Sequence, residues 1–167
     1  MSDDAPITYR LRGPRASESE LGFIVKSWLR SLSDSRSQME KACGYWDAQK
    51  LAIAYLLQES RVVIACGADD ADRIYGFGVG STDSDDFPGV VIHWVYVKHE
   101  ARKRGIGAAI ARELGADIHT EPGQAGFATI TACTSGWIRA RARHLCWGIS
   151  EFAPLYAAIN YNARKAG

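Results

Sequence analysis

Short apolar and alternating stretches mark the strand positions along the chain. Residues 7–12 alternate between apolar and polar side chains, which is the period of a half-buried strand. Residues 61–66 form an apolar run that ends at Gly67, and residues 74–80 follow it after an acidic loop. These two runs predict a β-hairpin. Further strands are predicted at residues 90–98, 127–134 and 147–149.

Other stretches have the 3.6-residue period of helices. Ser17 and Glu20 have the spacing of a capping box, and the helix after them is predicted to turn one apolar face inward. That face consists of Leu21, Ile24, Val25, Trp28, Leu29 and Leu32. A second helical region, interrupted near Gly44, is predicted to pack inward through Leu51, Ala54, Tyr55 and Leu57. Two more helices are predicted at residues 106–119 and, capped by Ser135, through Arg143.

The order of these elements is β-α-α-β-β-β-α-β-α-β. It predicts an α/β (α+β) fold, with a mixed, mostly antiparallel central sheet and helices on its faces. The chain of 167 residues contains no repeat or linker that divides it, so residues 1–167 are predicted to form a single domain.

Composition limits the classes of protein to which the chain can belong. The chain is 47% hydrophobic and 23% charged, which favours a packed core over disorder. No membrane span or signal peptide is recognisable, so we expect a soluble, cytoplasmic protein without a membrane partner. The four cysteines form no C-x-x-C pair and have no histidine cluster beside them, so we predict neither disulfides nor a metal site.

Charge is distributed unevenly between the two halves of the chain. Residues 1–86 carry 14 acidic and 10 basic side chains, whereas residues 87–167 carry 5 acidic and 10 basic ones. A basic half can attract a polyanion such as a cofactor phosphate or a nucleic acid, although a solvated surface explains the same charges.

The most informative segment is an apolar strand that runs through a basic glycine turn directly into a helix. It reads VIHWVYV from Val91, KHEA from Lys98 and RKRGIGA from Arg102. The first N–H groups of a helix have no intrahelical acceptor, and the helix dipole adds positive charge, so this arrangement can hold a pyrophosphate. A Rossmann fingerprint is excluded because the third glycine is absent, and no Walker loop is present.

Residues 97–107 resemble the turn of the GCN5-related N-acetyltransferases (GNAT), V-x-P-x-x-[RQ]-x-x-G-x-[GA]. The match holds at every fixed position except the proline, where this chain has His99. The resemblance implies a GNAT-like fold and acetyl-CoA (coenzyme A) as the acyl donor, with no metal. It places the pantetheine arm along the strand end and the pyrophosphate on the turn. The implied cofactor-binding residues are Val95, Tyr96, Val97, Arg102, Lys103, Arg104, Gly105, Ile106, Gly107 and Ala108.

Two histidines are candidates for the catalytic chemistry. His93 lies on the strand at the position where the similar arylalkylamine N-acetyltransferases have a histidine that helps to deprotonate the amine. His144 occupies the position of the family's tyrosine acid when Gly148 and Ile149 are aligned with the end of the family's N-x-x-A-x-x-L-Y-x-x-x-G-F helix. A buried structural histidine and a surface histidine are the respective alternatives, and the identity of the acid stays open.

Three functions follow from the resemblance. The leading hypothesis is an acyl-CoA-dependent N-acyltransferase that transfers an acyl group by direct attack to a small-molecule or macromolecular amine. The missing tyrosine signature favours an alternative, a non-catalytic GNAT-like binding or assembly protein. Residues 23–29 and 93–97 also resemble small bacteriophage-encoded GNAT-like proteins, and some relatives of that kind modify nucleic-acid bases. A nucleic-acid acceptor is therefore the third, weaker hypothesis.

Overall fold

The computed structural model describes residues 6–13, 17–35, 45–84, 87–116, 128–130 and 148–149. The strands are β1 (Ile7–Leu11), β2 (Arg61–Gly67), β3 (Ile74–Ser84), β4 (Phe87–Val97), β5 (Ala128–Ile130) and β6 (Gly148–Ile149). The helices are α1 (Glu18–Ser35), α2 (Tyr45–Glu59) and α3 (Ile106–Glu113), and a 3-10 turn spans His99–Ala101. The helix predicted after Ser135 lies outside the described residues.

All six strands belong to one sheet in the order β1-β2-β3-β4-β5-β6. The pairs β1–β2, β2–β3 and β3–β4 are antiparallel. The pairs β4–β5 and β5–β6 are parallel. The mixed, mostly antiparallel sheet predicted from the sequence is therefore confirmed.

The helices cover both faces of the sheet, as predicted. The side chains of β2–β4 alternate between a cluster under α3 and a second cluster under α1 and α2. Aromatic rings fill much of the second cluster: Trp28 of α1 stacks on Trp94 of β4, with ring centroids 5.3 Å apart. Phe23 packs edge-on against both Phe77 and Tyr96. The burial of these large rings fixes α1 on its face of the sheet.

Only one of the two hydrogen bonds of the predicted capping box forms at the start of α1. The Glu20 N–H donates to Ser17 Oγ at 3.2 Å, as a capping box requires. The Glu20 carboxylate, however, is buried and pairs with Arg10 and Arg12 of β1. The carboxylate therefore links α1 to β1 through ion pairs and does not accept a hydrogen bond from the Ser17 N–H, because a buried charge needs an ionic partner.

The inward face of α2 differs from the predicted one. Leu51 is 70% exposed, Tyr55 is 46% exposed and Ala54 is also exposed, so of the four predicted residues only Leu57 is buried. The buried face contains Gln49, Ala52, Ile53, Leu56 and Leu57. The prediction was wrong because α2 is apolar on several sides, and periodicity alone does not choose between them.

Substitutions on the two faces of α2 should therefore differ sharply in cost. We expect Ile53→Ala to lower the free energy of unfolding by about 2–5 kcal/mol, because it removes a fully buried side chain and leaves a cavity. Leu51→Ala should change it by less than about 0.5 kcal/mol. Urea unfolding of both variants measures the difference, and equal losses would contradict the assignment of the faces.

Helix α3 ends earlier than the sequence pattern predicted. It stops at Glu113, and Gly115 follows in the left-handed conformation with φ of 101°. The Ala116 N–H donates to Ala111 O at 3.0 Å and the Gly115 N–H donates to Arg112 O at 2.8 Å. This is a Schellman motif, which a glycine at this position stabilises and which the predicted end at residue 119 overlooked.

Three glycines of β3 let α3 lie close to the sheet. A Cβ at Gly78 would overlap Ile110 Cγ2 of α3 and lie 3.1 Å from Leu114 Cδ1, and Cβ atoms at Gly76 and Gly80 would also meet α3 side chains. The absence of side chains on this face sets the height of α3, and therefore of its N-terminus, above the strands. Among the described residues, no helix has the length and apolar character needed to span a membrane.

Candidate functional site

Strand β4 carries a bulge directly after the residues that pair with β5 in the described part of the chain. The antiparallel register of β3 and β4 changes between the pairs Val79↔Trp94 and Gly80↔Ile92, which leaves His93 as an extra residue. The parallel pairing of β4 with β5 runs from Val90 to Ile92 within the described residues. After the bulge, β4 continues its antiparallel pairing with β3.

The backbone polar groups of β4 alternate in direction after the bulge. The Lys98 N–H donates to Tyr75 O at 2.8 Å, so the alternation of an antiparallel ladder makes Phe77↔Tyr96 a hydrogen-bonded pair as well. The intervening residues Val95 and Val97 then direct their N–H and C=O groups away from β3. Of the three predicted strand residues, Val95 and Val97 therefore have their backbone polar groups on the side of β4 that faces away from β3.

Tyr96 has a different environment. Its backbone faces β3, and its ring stacks on Phe77 at 5.6 Å beneath α1. Trp94 and Tyr96 thus both pack beneath α1.

The turn after β4 is braced against the strand end. Ala101 is buried, and its N–H donates to Lys98 O at 3.0 Å, which closes the 3-10 turn. Arg102 Nε donates to Val97 O at 3.2 Å. This bond fixes the position of the turn relative to the last residue of β4.

The start of α3 exposes a set of backbone N–H groups. Lys103 and Gly105 both adopt left-handed conformations, with φ of 68° and 76°. The first helical hydrogen bond runs from the Ala109 N–H to Gly105 O, and no side chain caps the helix. The N–H groups of Ile106, Gly107 and Ala108 therefore have no acceptor within the helix. Successive N–H groups around left-handed residues form a concave site for anions.

Basic side chains surround these N–H groups. Arg102, Lys103 and Arg104 are all exposed, and the Arg104 guanidinium lies over the Tyr75 ring at 5.5 Å. The Ile106 side chain is buried in the cluster between α3 and the sheet, so Ile106 can contribute only its backbone N–H to the site. The predicted turn residues are thus brought together directly after the end of β4. We call the residues Val95, Val97 and Arg102 to Ala108 the anion cradle.

His93 lies near the anion cradle but on the other face of the sheet. Its Nε2 is 2.9 Å from Ser81 Oγ, and Ser81 Oγ is 3.1 Å from Ser60 Oγ at the end of α2. Strict alternation along β4 would place His93 on the face of Val95, and the bulge is the reason that His93 lies on the opposite face. The imidazole is 7% exposed, and its burial lowers its pKa from 6.5 to about 4.

The pKa of His93 predicts how stability depends on pH. In the unfolded chain His93 takes up a proton near pH 6.5, whereas in the folded protein it stays neutral down to about pH 4. Because the unfolded state binds more protons in this window, acidification destabilises the fold, by about 3 kcal/mol in total. We expect His93→Gln to lack this loss in urea unfolding between pH 7 and pH 4.5. An equal pH dependence in both proteins would refute the assignment.

Other predicted features can be compared with the structure only in part. His144 lies outside the described residues. Within the described part of the chain, no group of three or more His, Cys, Asp or Glu residues is arranged to hold a metal ion. Ser60 and Ser81 were not predicted from the sequence. The hairpin register carried the signal, because Arg61 pairs with Gly80 and so places residues 60 and 81 opposite each other.

Comparison with known proteins agrees with this geometry. The acetyltransferase (GNAT) family matches residues 25–145, well over half of the chain. A structure assigned as an acetyltransferase from Deinococcus radiodurans R1 superposes with a TM-score of 0.51 at 16% identity, covering 90% of each chain. One assigned to the GNAT family from Staphylococcus aureus has a TM-score of 0.50 at 16% identity, covering 86% of this chain and 98% of that one. No curated protein sequence matches significantly.

The two structures support the fold, and the family match covers β4, the basic turn and α3. The chain therefore belongs to the acetyltransferase (GNAT) family, whose members transfer acyl groups.

Proposed function

We propose that this protein is an acetyl-CoA-dependent N-acyltransferase. One observation carries the proposal: a strand whose Val95 and Val97 backbone groups point away from β3 ends in a basic turn, and the helix after that turn has no side-chain cap at its N-terminus. Such a site offers hydrogen bonds to an extended amide-containing arm and, beside it, to a pyrophosphate. Coenzyme A combines these two groups in one molecule.

Different residues of the anion cradle would bind different parts of coenzyme A. Val95 and Val97 would hydrogen-bond the pantetheine amides as an added strand does at a sheet edge. The N–H groups of Ile106, Gly107 and Ala108 would hold the pyrophosphate, with Lys103 and Arg104 supplying charge. When bound, acetyl-CoA supplies the thioester whose acyl group is transferred.

His93 is the proposed base that accepts a proton from the acceptor amine. It lies at the bulge of β4, which is the part of the strand that the acyl end of a ligand lying along β4 would approach. Burial keeps its imidazole neutral at physiological pH, and a neutral imidazole can accept a proton. The acceptor is an amine, since a nitrogen lone pair can attack the thioester directly, and catalysis consists largely of positioning that amine.

Calorimetric titration with acetyl-CoA, followed by thiol release across a panel of amines, tests the proposal. The panel should contain small aliphatic amines, arylalkylamines, peptide amines and DNA. We expect binding at micromolar concentrations and thiol release with at least one class of amine. Absence of binding at tens of micromolar would overturn the proposal. Binding without release from any amine would favour the non-catalytic alternative, and release with DNA would favour the nucleic-acid acceptor.

Neutralising Lys103 should weaken cofactor binding without disturbing the fold. Asparagine tolerates the left-handed conformation of this position, so Lys103→Asn removes the charge and keeps the turn. We expect about a three- to tenfold increase in the Kd for acetyl-CoA, as the loss of one exposed charge-assisted contact predicts. Lys26→Gln removes an exposed charge from α1 and serves as the control. An equal change in both variants would contradict a specific role of Lys103.

A further inference from the structure

We propose that Arg102 is a specificity-determining residue that makes the protein prefer acyl-CoA to acyl donors that carry only the pantetheine arm, and this inference rests on the proposed function. Arg102 occupies the backbone oxygen of Val97, which is one of the groups that the arm would use. A ligand has to displace Arg102 from this oxygen, and only a ligand with a diphosphate offers the displaced guanidinium a new partner.

The hydrogen bond between Arg102 and Val97 has an unambiguous direction. Arg102 Nε lies 3.2 Å from Val97 O. Because a guanidinium has N–H donors and no acceptor, the Nε–H donates and the carbonyl accepts. The Lys98 N–H donates to Tyr75 O at 2.8 Å, so the alternation of the ladder directs the Val97 C=O away from β3. Arg102 therefore bonds to β4 on the side along which the pantetheine arm would lie.

The Arg102 side chain can leave Val97 O while the turn stays closed. Arg102 is exposed, so its guanidinium can move into water. The turn has backbone hydrogen bonds of its own: the Ala101 N–H donates to Lys98 O at 3.0 Å, and the Arg102 N–H donates to His99 O at 3.3 Å. Ala101 is also buried, which holds the middle of the turn against the rest of the protein. The contact with Val97 O is therefore an exchangeable one.

The arm and Arg102 compete for one carbonyl oxygen. An amide N–H of the arm has to approach Val97 O beside the planar guanidinium that extends beyond Nε. For a ligand without phosphates, the exchange replaces one hydrogen bond of Val97 O by another and returns the guanidinium to water, so the net gain is small. Acetyl-CoA carries its diphosphate next to the arm, and Arg102 precedes the N-terminus of α3 by only a few residues. The displaced guanidinium can then form strong, charge-assisted hydrogen bonds with phosphate oxygens.

Titration with two acyl donors tests the proposal. S-acetylpantetheine has the arm and the thioester of acetyl-CoA but no phosphate. We expect Arg102→Ala to lower the Kd for S-acetylpantetheine about two- to tenfold, as removal of one competing hydrogen bond predicts. The same variant should raise the Kd for acetyl-CoA about threefold or more, because a phosphate partner is lost. A purely structural role of Arg102 would weaken the binding of both ligands, and a role in phosphate binding alone would leave S-acetylpantetheine unchanged. Either result would overturn the proposal.

Arg102→Lys separates the hydrogen bond from the charge. Lysine has a methylene group where arginine has Nε, and it keeps the positive charge. This variant should bind S-acetylpantetheine more tightly than the wild-type protein does, while its Kd for acetyl-CoA stays within about threefold of the wild-type value. Arg30→Ala removes an exposed arginine from α1 and is the control, with both Kd values unchanged. Weaker binding of S-acetylpantetheine by Arg102→Lys would contradict the proposal.

Hydrogen exchange of the Arg102 Nε–H, followed by NMR, gives a measurement that needs no phosphate. In the protein alone this N–H should exchange with water more slowly than that of Arg30, and S-acetylpantetheine should accelerate its exchange. Equal rates for the two arginines, or a rate that S-acetylpantetheine leaves unchanged at saturation, would overturn the proposal. Absence of acetyl-CoA binding would overturn the proposed function together with this inference. Acetyl-CoA binding with an unchanged Kd for S-acetylpantetheine in Arg102→Ala would overturn this inference alone.

Discussion

Gly107→Glu should abolish acetyl-CoA binding while the protein stays folded. Gly107 is the second residue of α3, and its N–H is one of the three that face the anion cradle. A carboxylate at this position would occupy the N–H groups and repel the pyrophosphate. We expect the Kd to rise at least about 100-fold, since both a cluster of N–H donors and favourable charge are lost. Calorimetric titration measures the effect.

The same substitution should not destabilise the fold, and this separates binding from folding. A glycine within a helix lowers the free energy of unfolding by about 0.5–1 kcal/mol relative to alanine. An acidic side chain in the first turn interacts favourably with the helix dipole. The free energy of unfolding of Gly107→Glu should therefore equal or exceed that of the wild-type protein. Gly107→Gln has the same size without the charge and should weaken binding less. If Gly107→Glu binds acetyl-CoA with the wild-type Kd, the cofactor lies elsewhere.

Gly78→Val should destabilise the fold and weaken acetyl-CoA binding together. The new side chain would overlap Ile110 Cγ2 and press on Leu114, and neither side chain can withdraw because both are fully buried. Helix α3 must rise from the sheet, which carries the N–H groups of the anion cradle away from β4. Overpacking of this kind costs about 3 kcal/mol. Urea unfolding and a titration at low temperature measure the two effects.

Gly22→Ala is the control for this substitution. Gly22 lies within α1, and a Cβ there meets no atom within 4 Å. The alanine should raise the free energy of unfolding by about 0.5–1 kcal/mol through its helix propensity and leave the Kd unchanged. If Gly78→Val is as stable as the wild-type protein, α3 does not pack on β3 as described.

The strand, the turn and the helix that form the anion cradle were predictable from the sequence because their signal is local. A strand, a turn with two glycines and a helix follow each other within about 20 residues, and the chemistry resides in backbone groups whose direction the secondary structure sets. The hairpin of β2 and β3 was predictable for the same reason. Neither prediction required knowledge of how distant parts of the chain pack.

Features that depend on tertiary packing were not predictable from the pattern. The face of α2 that points inward depends on which apolar side the sheet covers, so Leu51 and Tyr55 were placed wrongly. The environment of His93 depends on a single extra residue in β4, which reverses the alternation of faces at that point. Nothing in the sequence distinguishes Ser60 and Ser81 from other serines. They form a hydrogen bond only because the hairpin register brings them together.

An NMR titration of the amide groups with acetyl-CoA tests the central claim, that the cofactor is held by the anion cradle. The account predicts the largest chemical-shift changes at the N–H groups of Val95, Val97, Gly105, Ile106, Gly107 and Ala108. Amides on the exposed face of α2, such as those of Leu51 and Tyr55, should not move. Saturable binding that leaves the amides of residues 105–108 unchanged would contradict the account.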